Sequence, residues 1–382
     1  MHLLKSVLRQ LINFIPALLF FGMAYAENGV TDTNIKIGMS VPLSGMNAAY
    51  GAEIKETVDD YFMQVNSSGG INGRTLTLVA LDDGYEADRS AQNTIQLVQN
   101  NKVFALTSYY GTATTTASLP MVTAAKIPLI GTFSGANSLR IPLNRYMFNV
   151  RASYAEETNA LIKQMLSIGL TRIGVLYQND GFGKSGLDGI TAALKVHHLQ
   201  PTVVATVEHN STDVDAAVAT FTREQPQAII MVTLLKATTA FVRKFKASQA
   251  PSYLATLSPI GAQLLANDLG EMSRGIMISQ VIPFPWNDTL PLARDYKKLV
   301  QRSNGANTLS YTGMEAYANA RIMVEAIRLC GKNLTREKLI EILENMHDTT
   351  IGGFPISYSS TNRSASKFVE ITILGANGKI LR

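Results

Sequence analysis

Two glycine-bearing turns in this chain have the composition to hold an anion. The first is Tyr109-Tyr110-Gly111-Thr112-Ala113-Thr114-Thr115-Thr116. It follows an apolar run, Val103-Phe104-Ala105-Leu106, that reads as a buried strand, and it leads into a helix over 117–125. Gly111 frees the backbone, and Thr112 puts a hydroxyl where the helix would start. A helix N-terminus offers unpaired N–H groups and a positive dipole end, which suit a carboxylate or phosphate. Tyr109 and Tyr110 stand ready to wall an organic ligand. A Gly-Thr turn is also an ordinary N-cap that needs no ligand. Taken alone, the stretch leaves both readings open.

The second turn is Gly181-Phe182-Gly183-Lys184-Ser185-Gly186, which fits G-x-G-x-x-G. It follows a predicted strand, precedes a helix, and Glu208 ends the next strand, as a dinucleotide site would require. Three features argue against that chemistry. Gln178-Asn179-Asp180 displaces the tight turn from the strand. Asp180 would repel a pyrophosphate. The secretory leader at residues 1–26 directs the chain to where little nicotinamide cofactor is found. The Walker pattern fails because position 178 is Gln where Gly is needed.

Catalytic constellations are thin. Ser185 lacks a G-x-S-x-G frame. His197 and His198 sit at a predicted helix end and His209 follows a strand. None has the spacing of a nucleophile or metal partner, so they read as solvated. Asp82-Asp83 suits a carboxylate pair or a polar strand end equally. Five histidines and one cysteine, Cys330, give no zinc spacing. No catalytic residue, metal or cofactor is expected.

The leader has a basic start at Lys5 and Arg9, an apolar run from Leu11 to Met23, and the small-x-small signal Ala24-Tyr25-Ala26. Cleavage after Ala26 is expected. The run is short for a span of roughly 20 residues and holds Asn13 and Pro16. No cysteine lies at the junction for a lipid anchor. Two of the 34 basic residues and none of the 29 acidic ones lie in the leader, so the remainder carries a net charge of +3. That is mild, and no Lys/Arg block with interleaved aromatics marks a nucleic-acid surface. With 46% hydrophobic and 16% charged residues over 382 positions, the chain can bury two cores of ordinary size. The lone cysteine forms no intramolecular disulfide, and nothing demands more than a monomer.

Strand and helix patterns alternate from end to end. Strands are predicted at 35–41, 76–81, 103–106, 127–130, 172–177, 202–207, 228–232, 253–257 and 276–282, with 148–151 extended. The first helix runs to about Val65 with Ile54, Val58, Tyr61, Phe62 and Val65 on one face, and the second, 88–98, turns Ile95 and Val98 inward. Helices at 155–168, 189–196, 214–221, 240–245 and 261–269 follow. Three more read at 292–300, 315–329 and 336–343, before strand-like segments at 354–358 and 368–374. This is α/β architecture with parallel, helix-covered sheets. The pattern restarts after about residue 151, so two doubly wound lobes are expected. The loops at 42–50, 82–84, 109–113, 131–136 and 178–183 all close strands at their carboxyl ends, where such sheets bind ligands. Two lobes facing each other enclose a cleft.

The leader, Ile35–Gly45, Tyr50-Gly51, Gly69-Gly70-Ile71-Asn72-Gly73, Asp82-Asp83, Gly111-Thr112 and Ile127-Pro128-Leu129-Ile130 resemble the leucine/isoleucine/valine-binding family. These are type I periplasmic solute-binding proteins of ABC importers. The resemblance continues through Phe148–Tyr154, Tyr177–Gly186 and Tyr311–Ala326. It implies two α/β lobes joined by three crossings and hinged around a ligand. Lobe one would be 32–151 plus 282–366, and lobe two 152–281 plus 367–382. It implies a carboxylate held by backbone N–H groups and hydroxyls at Tyr110, Gly111 and Thr112, and at Phe133, Ser134 and Gly135. The aromatic walls match Tyr50 and Phe182.

The family's amino-acid binders neutralise the ligand ammonium with a lobe-two acid. Here its place falls near Leu257-Ser258, and no Asp or Glu lies between Glu224 and Asp268. A second family tyrosine falls near the apolar Leu234. Burying an ammonium without a partner costs several kcal/mol. The expectation is therefore a ligand not held as an ordinary zwitterion, with Glu156 as a substitute acid or Lys236 adding positive charge. The function implied is an exported, non-catalytic binding protein. It would deliver a branched-chain or related amino acid, or a similar small carboxylate, to a membrane permease and ATPase. A sensor module for amides or carboxylates with a separate signalling partner is the alternative.

Overall fold

The computed structural model describes residues 27–303 and 308–382. The leader lies outside the described residues. From the first of these onward the chain lays down β1 (Asn34–Val41), α1 (Ala48–Ser67), β2 (Thr75–Asp82), α2 (Ala87–Gln99), β3 (Ala105–Thr107), α3 (Thr112–Ala124), β4 (Leu129–Ile130) and β5 (Met147–Phe148). The five strands form a parallel sheet in the order β2-β1-β3-β4-β5. Each parallel neighbour needs a crossover; α1, α2 and α3 supply it up to β4, and a loop with one short 3-10 turn at Asn137–Leu139 joins β4 to β5.

After β5 the register restarts. α4 (Tyr154–Ser167), β6 (Ile173–Gln178), α5 (Gly181–Val196), β7 (Val203–Val207), α6 (Asp215–Glu224), β8 (Ala228–Val232), α7 (Leu235–Ala247), β9 (Tyr253–Thr256), α8 (Ala262–Leu269) and β10 (Met277–Gln280) build the second lobe. All five residues of β8 are buried, as expected for a central strand covered on both faces. The chain then returns to the first lobe, where α9 (Pro291–Arg302) and α10 (Tyr311–Cys330) pack on α1, and α11 (Arg336–Glu344) packs on α10. A small hairpin, β11 (Thr349–Ile351) and β12 (Phe354–Ile356), follows. Finally β13 (Glu370–Leu374) and β14 (Ile380–Leu381) add antiparallel strands to the second sheet, whose order is β14-β13-β10-β9-β8-β6-β7.

Three readings of the sequence need correction. Ile95 is 41% exposed, and α2 instead buries Ser90, Thr94 and Leu97. That face is polar because it meets hydroxyls: Ser90 is 3.3 Å from Ser40 and 3.1 Å from Ser118, and Thr94 bonds the Tyr109 hydroxyl at 3.1 Å. Hydrophobic periodicity cannot register an inward face made of serine and threonine. Tyr109 accordingly packs in a satellite core with Leu97, Val122 and Ile127 and walls no cleft. The helix expected at 189–196 begins eight residues earlier, at Gly181, because its first turn is glycine-rich and lacks an apolar stripe.

Candidate functional site

The carboxyl ends of β1, β3 and β4 face those of β8 and β9 across the interlobe cleft. Tyr50, in the first turn of α1, reaches across. Its hydroxyl donates to the Ile260 carbonyl at 3.0 Å and accepts the Leu235 N–H at 3.0 Å. Tyr110 stacks on it, ring centroids 4.9 Å apart, and donates its hydroxyl to the Pro259 carbonyl at 3.1 Å. Phe133 flanks Tyr110 at 6.2 Å. Burial pushes both tyrosine hydroxyls well above their ordinary pKa, so they stay neutral.

The two small-residue loops are zipped together. Gly111 N–H donates to the Phe133 carbonyl at 3.3 Å, and Phe133 N–H to the Tyr109 carbonyl at 2.7 Å. These two N–H groups, expected at the ligand carboxylate, are thus spent between loops. What the zipper presents is a pair of hydroxyls, Thr112 Oγ1 and Ser134 Oγ, 2.7 Å apart. Gly111 has φ +100°, and a Cβ there would come within 2.5 Å of the Tyr85 ring, so glycine is required. Its residue type also leaves α3 without a side-chain cap. The N–H groups of Thr112, Ala113 and Thr114 lie in the first turn, where a helix supplies no carbonyl partner. Gly135 lets its loop meet α4: its carbonyl accepts the Tyr154 N–H at 2.7 Å, and a Cβ would meet the Tyr154 ring at 2.5 Å. Phe182, in the first turn of α5, packs on Tyr154 at 5.4 Å. All eight predicted site residues are buried around this cleft.

Beneath the loops lies a charge cluster that the sequence concealed. Arg151, 1% exposed, bonds the Ser258 hydroxyl through Nη2 and lies 3.4 Å from Glu157 and 3.7 Å from Glu315. Glu157 accepts the Ser258 N–H at 2.9 Å and the Ser279 hydroxyl at 2.7 Å. Arg140 holds the second loop from below, donating to the carbonyls of Ser134 and Ala136 at 3.2 and 3.0 Å. Burial pushes the Glu315 carboxyl up to about 7, against the pull of Arg151. Arg151 Nε and Nη1 and Glu315 Oε1 make no hydrogen bond and border a cavity of about 10 Å³ shared with Tyr110, Phe133 and Gln280. That is room for about one water.

The cluster corrects the search for an acid. Glu156 is bound to the start of α4, its carboxylate accepting the Ser153 N–H and hydroxyl in a capping box. Lys236 is half-exposed and already paired, with Asp268 at 3.3 Å. The acids beside Ser258 are Glu157 and Glu315, respectively 101 and 57 positions away in the chain. Only the contact order of the fold brings them there.

The G-x-G-x-x-G turn is built for packing. Asp180 caps α5, accepting the Gly183 N–H at 3.0 Å, and so fills the helix end with its own carboxylate. A Cβ at Gly183 would strike the Gln178 carbonyl, and one at Gly186 would strike Val232. Asp82 serves the strand end, accepting N–H bonds from Leu43, Ser44 and Gly84 at 2.8, 3.1 and 2.9 Å. His209, read as solvated, is half-buried and bonded to Asp180 and to the Tyr85 carbonyl. Among the described residues no group of three or more His, Cys, Asp or Glu could hold a metal, and no helix is long and apolar enough to cross a membrane.

The sequence profile of the periplasmic binding protein family matches residues 34–378. The chain belongs to this family. It is similar to Leu/Ile/Val-binding protein homolog 2 of Brucella abortus (strain 2308), 38% identical over 61 residues, a match spanning 16% of this chain and 16% of that relative. Among solved structures it is similar to a possible leucine/isoleucine/valine-binding protein from Rhodopirellula baltica SH 1. Identity there is 30% and the TM-score 0.88, over 94% of this chain and 98% of the other. A substrate-binding periplasmic protein from Ralstonia solanacearum aligns at 30% identity and TM-score 0.87, over 91% and 99% of the two chains. These bear out the expected two-lobed α/β fold of type I and the leucine/isoleucine/valine-binding resemblance. The relatives are named as binding proteins.

Proposed function

We propose that the chain is the exported solute-binding component of an ABC importer. It takes a branched-chain or related amino acid, or a similar small organic carboxylate, between the lobes and hands it to a permease and its ATPase. The carrying observation is the hydroxyl pair Thr112–Ser134 at the uncapped start of α3, set opposite lobe-two backbone groups that the cleft tyrosines already bridge. The polar head of the solute sits at Thr112, Ser134 and the N–H groups of the α3 first turn. Its body lies against Tyr50, Tyr110, Phe133 and Phe182. Gly111 and Gly135 act by letting the two loops approach. The chain crosses between lobes near residues 151, 281 and 366, and closure follows because the solute contacts both walls.

Two carboxylates beside Ser258 remove the reason for excluding an amine-bearing solute, and Glu315 Oε1 offers it an acceptor. A thermal-shift screen of amino acids, aromatic and short-chain acids, and amides on ligand-stripped protein tests the reading. Saturation about a hundredfold above Kd adds roughly 2.7 kcal/mol. Calorimetry with leucine, phenylalanine and their deaminated analogues then assigns the class. A chain stabilised by none of these compounds overturns the proposal.

A further inference from the structure

A second set of contacts crosses the cleft at its outer edge. His209 and Asn210 follow β7 in lobe two. Facing them are Asn47, Tyr85 and Glu86 of lobe one. Asn47 Nδ2 donates to Asn210 Oδ1 at 3.0 Å, and Asn210 Nδ2 donates to Glu86 Oε1 at 2.6 Å. The His209 ring stacks on Tyr85, centroids 5.0 Å apart and 17° from parallel. Its Nδ1 lies 2.9 Å from Asp180 Oδ2, and its Nε2 lies 3.1 Å from the Tyr85 carbonyl oxygen.

Gln178 Nε2 stands farther off, 3.5 Å from Nδ1, and the two close partners of the ring are both acceptors. The Asp180 carboxylate already accepts the Gly183 N–H at 3.0 Å and Gln178 Nε2 at 2.5 Å, and a peptide carbonyl has no proton to give. Neutral imidazole carries one N–H and would leave a lone pair facing an oxygen. Imidazolium carries two and satisfies both. Asp180 sits in the same lobe as His209 and stays with it when the cleft opens, whereas the Tyr85 carbonyl does not. We infer that closing the lobes takes up a proton at His209, so that closure is favoured by falling pH.

The groups facing the ring agree with this sign. Asp180 approaches from the cap of α5, and Glu86 from the turn before α2, tied in through Asn210. Asp83 lies under the Tyr85 N–H at 2.9 Å, its carboxyl pushed up to about 6 by burial. His209 is held above its ordinary value chiefly by the Asp180 bond, against partial burial. The stacked Tyr85 face adds attraction for a cation. A group whose pKa is raised on closing contributes fully below its open-state pKa and is lost as pH rises through the closed-state one. The closed-to-open ratio changes about tenfold for each unit by which closing raises the pKa. This latch rests on the hinged-clamp reading above.

Two measurements on the full mature chain test it. Nitrogen-15 imidazole spectra at pH 7 should show both His209 nitrogens protonated, with a titration midpoint above the ordinary histidine value. A single protonated nitrogen overturns the inference. Interlobe distance, followed by energy transfer between dyes on α2 and α6, should lengthen from pH 5.5 to 8.5 in the wild type. His209→Gln should flatten that profile, and Asn47→Ala should lower closure equally at every pH. The same pH profile in wild type and His209→Gln overturns the latch. Solute binding with no change of interlobe distance at any pH overturns the clamp itself, and the latch with it.

Discussion

The starts of α3 and α5 look alike in sequence and do opposite things. Each follows a parallel strand through a glycine turn. The α5 turn carries the stronger-looking motif, yet Asp180 plugs its own helix end and the glycines exist to bring helix and strand together. The α3 turn has no motif to speak of. Its cap is Gly111, which has no side chain to fill the end, and the nearest hydroxyl turns aside to Ser134. A helix N-terminus is open to a ligand only where the chain does not cap itself.

Substitutions can break this contrast. Gly111→Ala should have the largest effect. Forcing a side chain at φ +100° costs about 1–3 kcal/mol before the Tyr85 ring is displaced, read by denaturant unfolding together with loss of solute binding. Wild-type stability there would mean the turn does not need its geometry. Thr112→Val and Ser134→Ala should each weaken solute binding by about 1.5–3 kcal/mol, roughly ten- to a hundredfold, since on the proposed function each would remove a hydrogen bond to a charged head. Calorimetry reads this, and unchanged affinity would move the head group elsewhere. Asp180→Ala should cost about 1 kcal/mol of stability through the lost cap and flatten the pH profile of closure. The solute head subsite itself should be spared.

The smallest effect is confined to one pH window. Glu315, pushed up to about 7 from an ordinary 4.5, binds its proton more tightly folded than unfolded. Folding stability attributable to it is therefore full below about 4.5, falls as pH rises towards 7, and stays lost above. Glu315→Gln should melt higher than wild type at pH 8 and equally at about pH 4.

Much of this was legible beforehand. Ile54, Val58, Tyr61 and Phe62 marked the inner face of α1, and the strand ends named the loops that line the cleft. Tyr85, Arg151 and Tyr154 were not singled out, and His209 was read as solvated where it is held by Asp180 and the Tyr85 carbonyl. Tyr85 takes φ +66° in a turn with no apolar pattern to mark it, and Arg151 is a charged residue in a chain where charge usually means surface. A cue existed for Arg151: it follows the buried run Met147–Val150, where an exposed side chain would be out of place.

Hydrophobic periodicity, glycine placement and the order of strands and helices determined the α/β class, the doubling into two lobes and the rim on which a ligand would rest. These are local signals, each readable within about a dozen residues. Which polar groups are spent and which remain available was decided by tertiary structure alone. Zipping Gly111 to Phe133, plugging α5 with Asp180, setting Glu157 and Glu315 around Arg151 and closing His209 onto the Tyr85 carbonyl all join distant parts of the chain or depend on where a side chain points. Hydrogen bonds and ion pairs saturate at short range, so their accounting becomes visible only once the fold has brought the partners together.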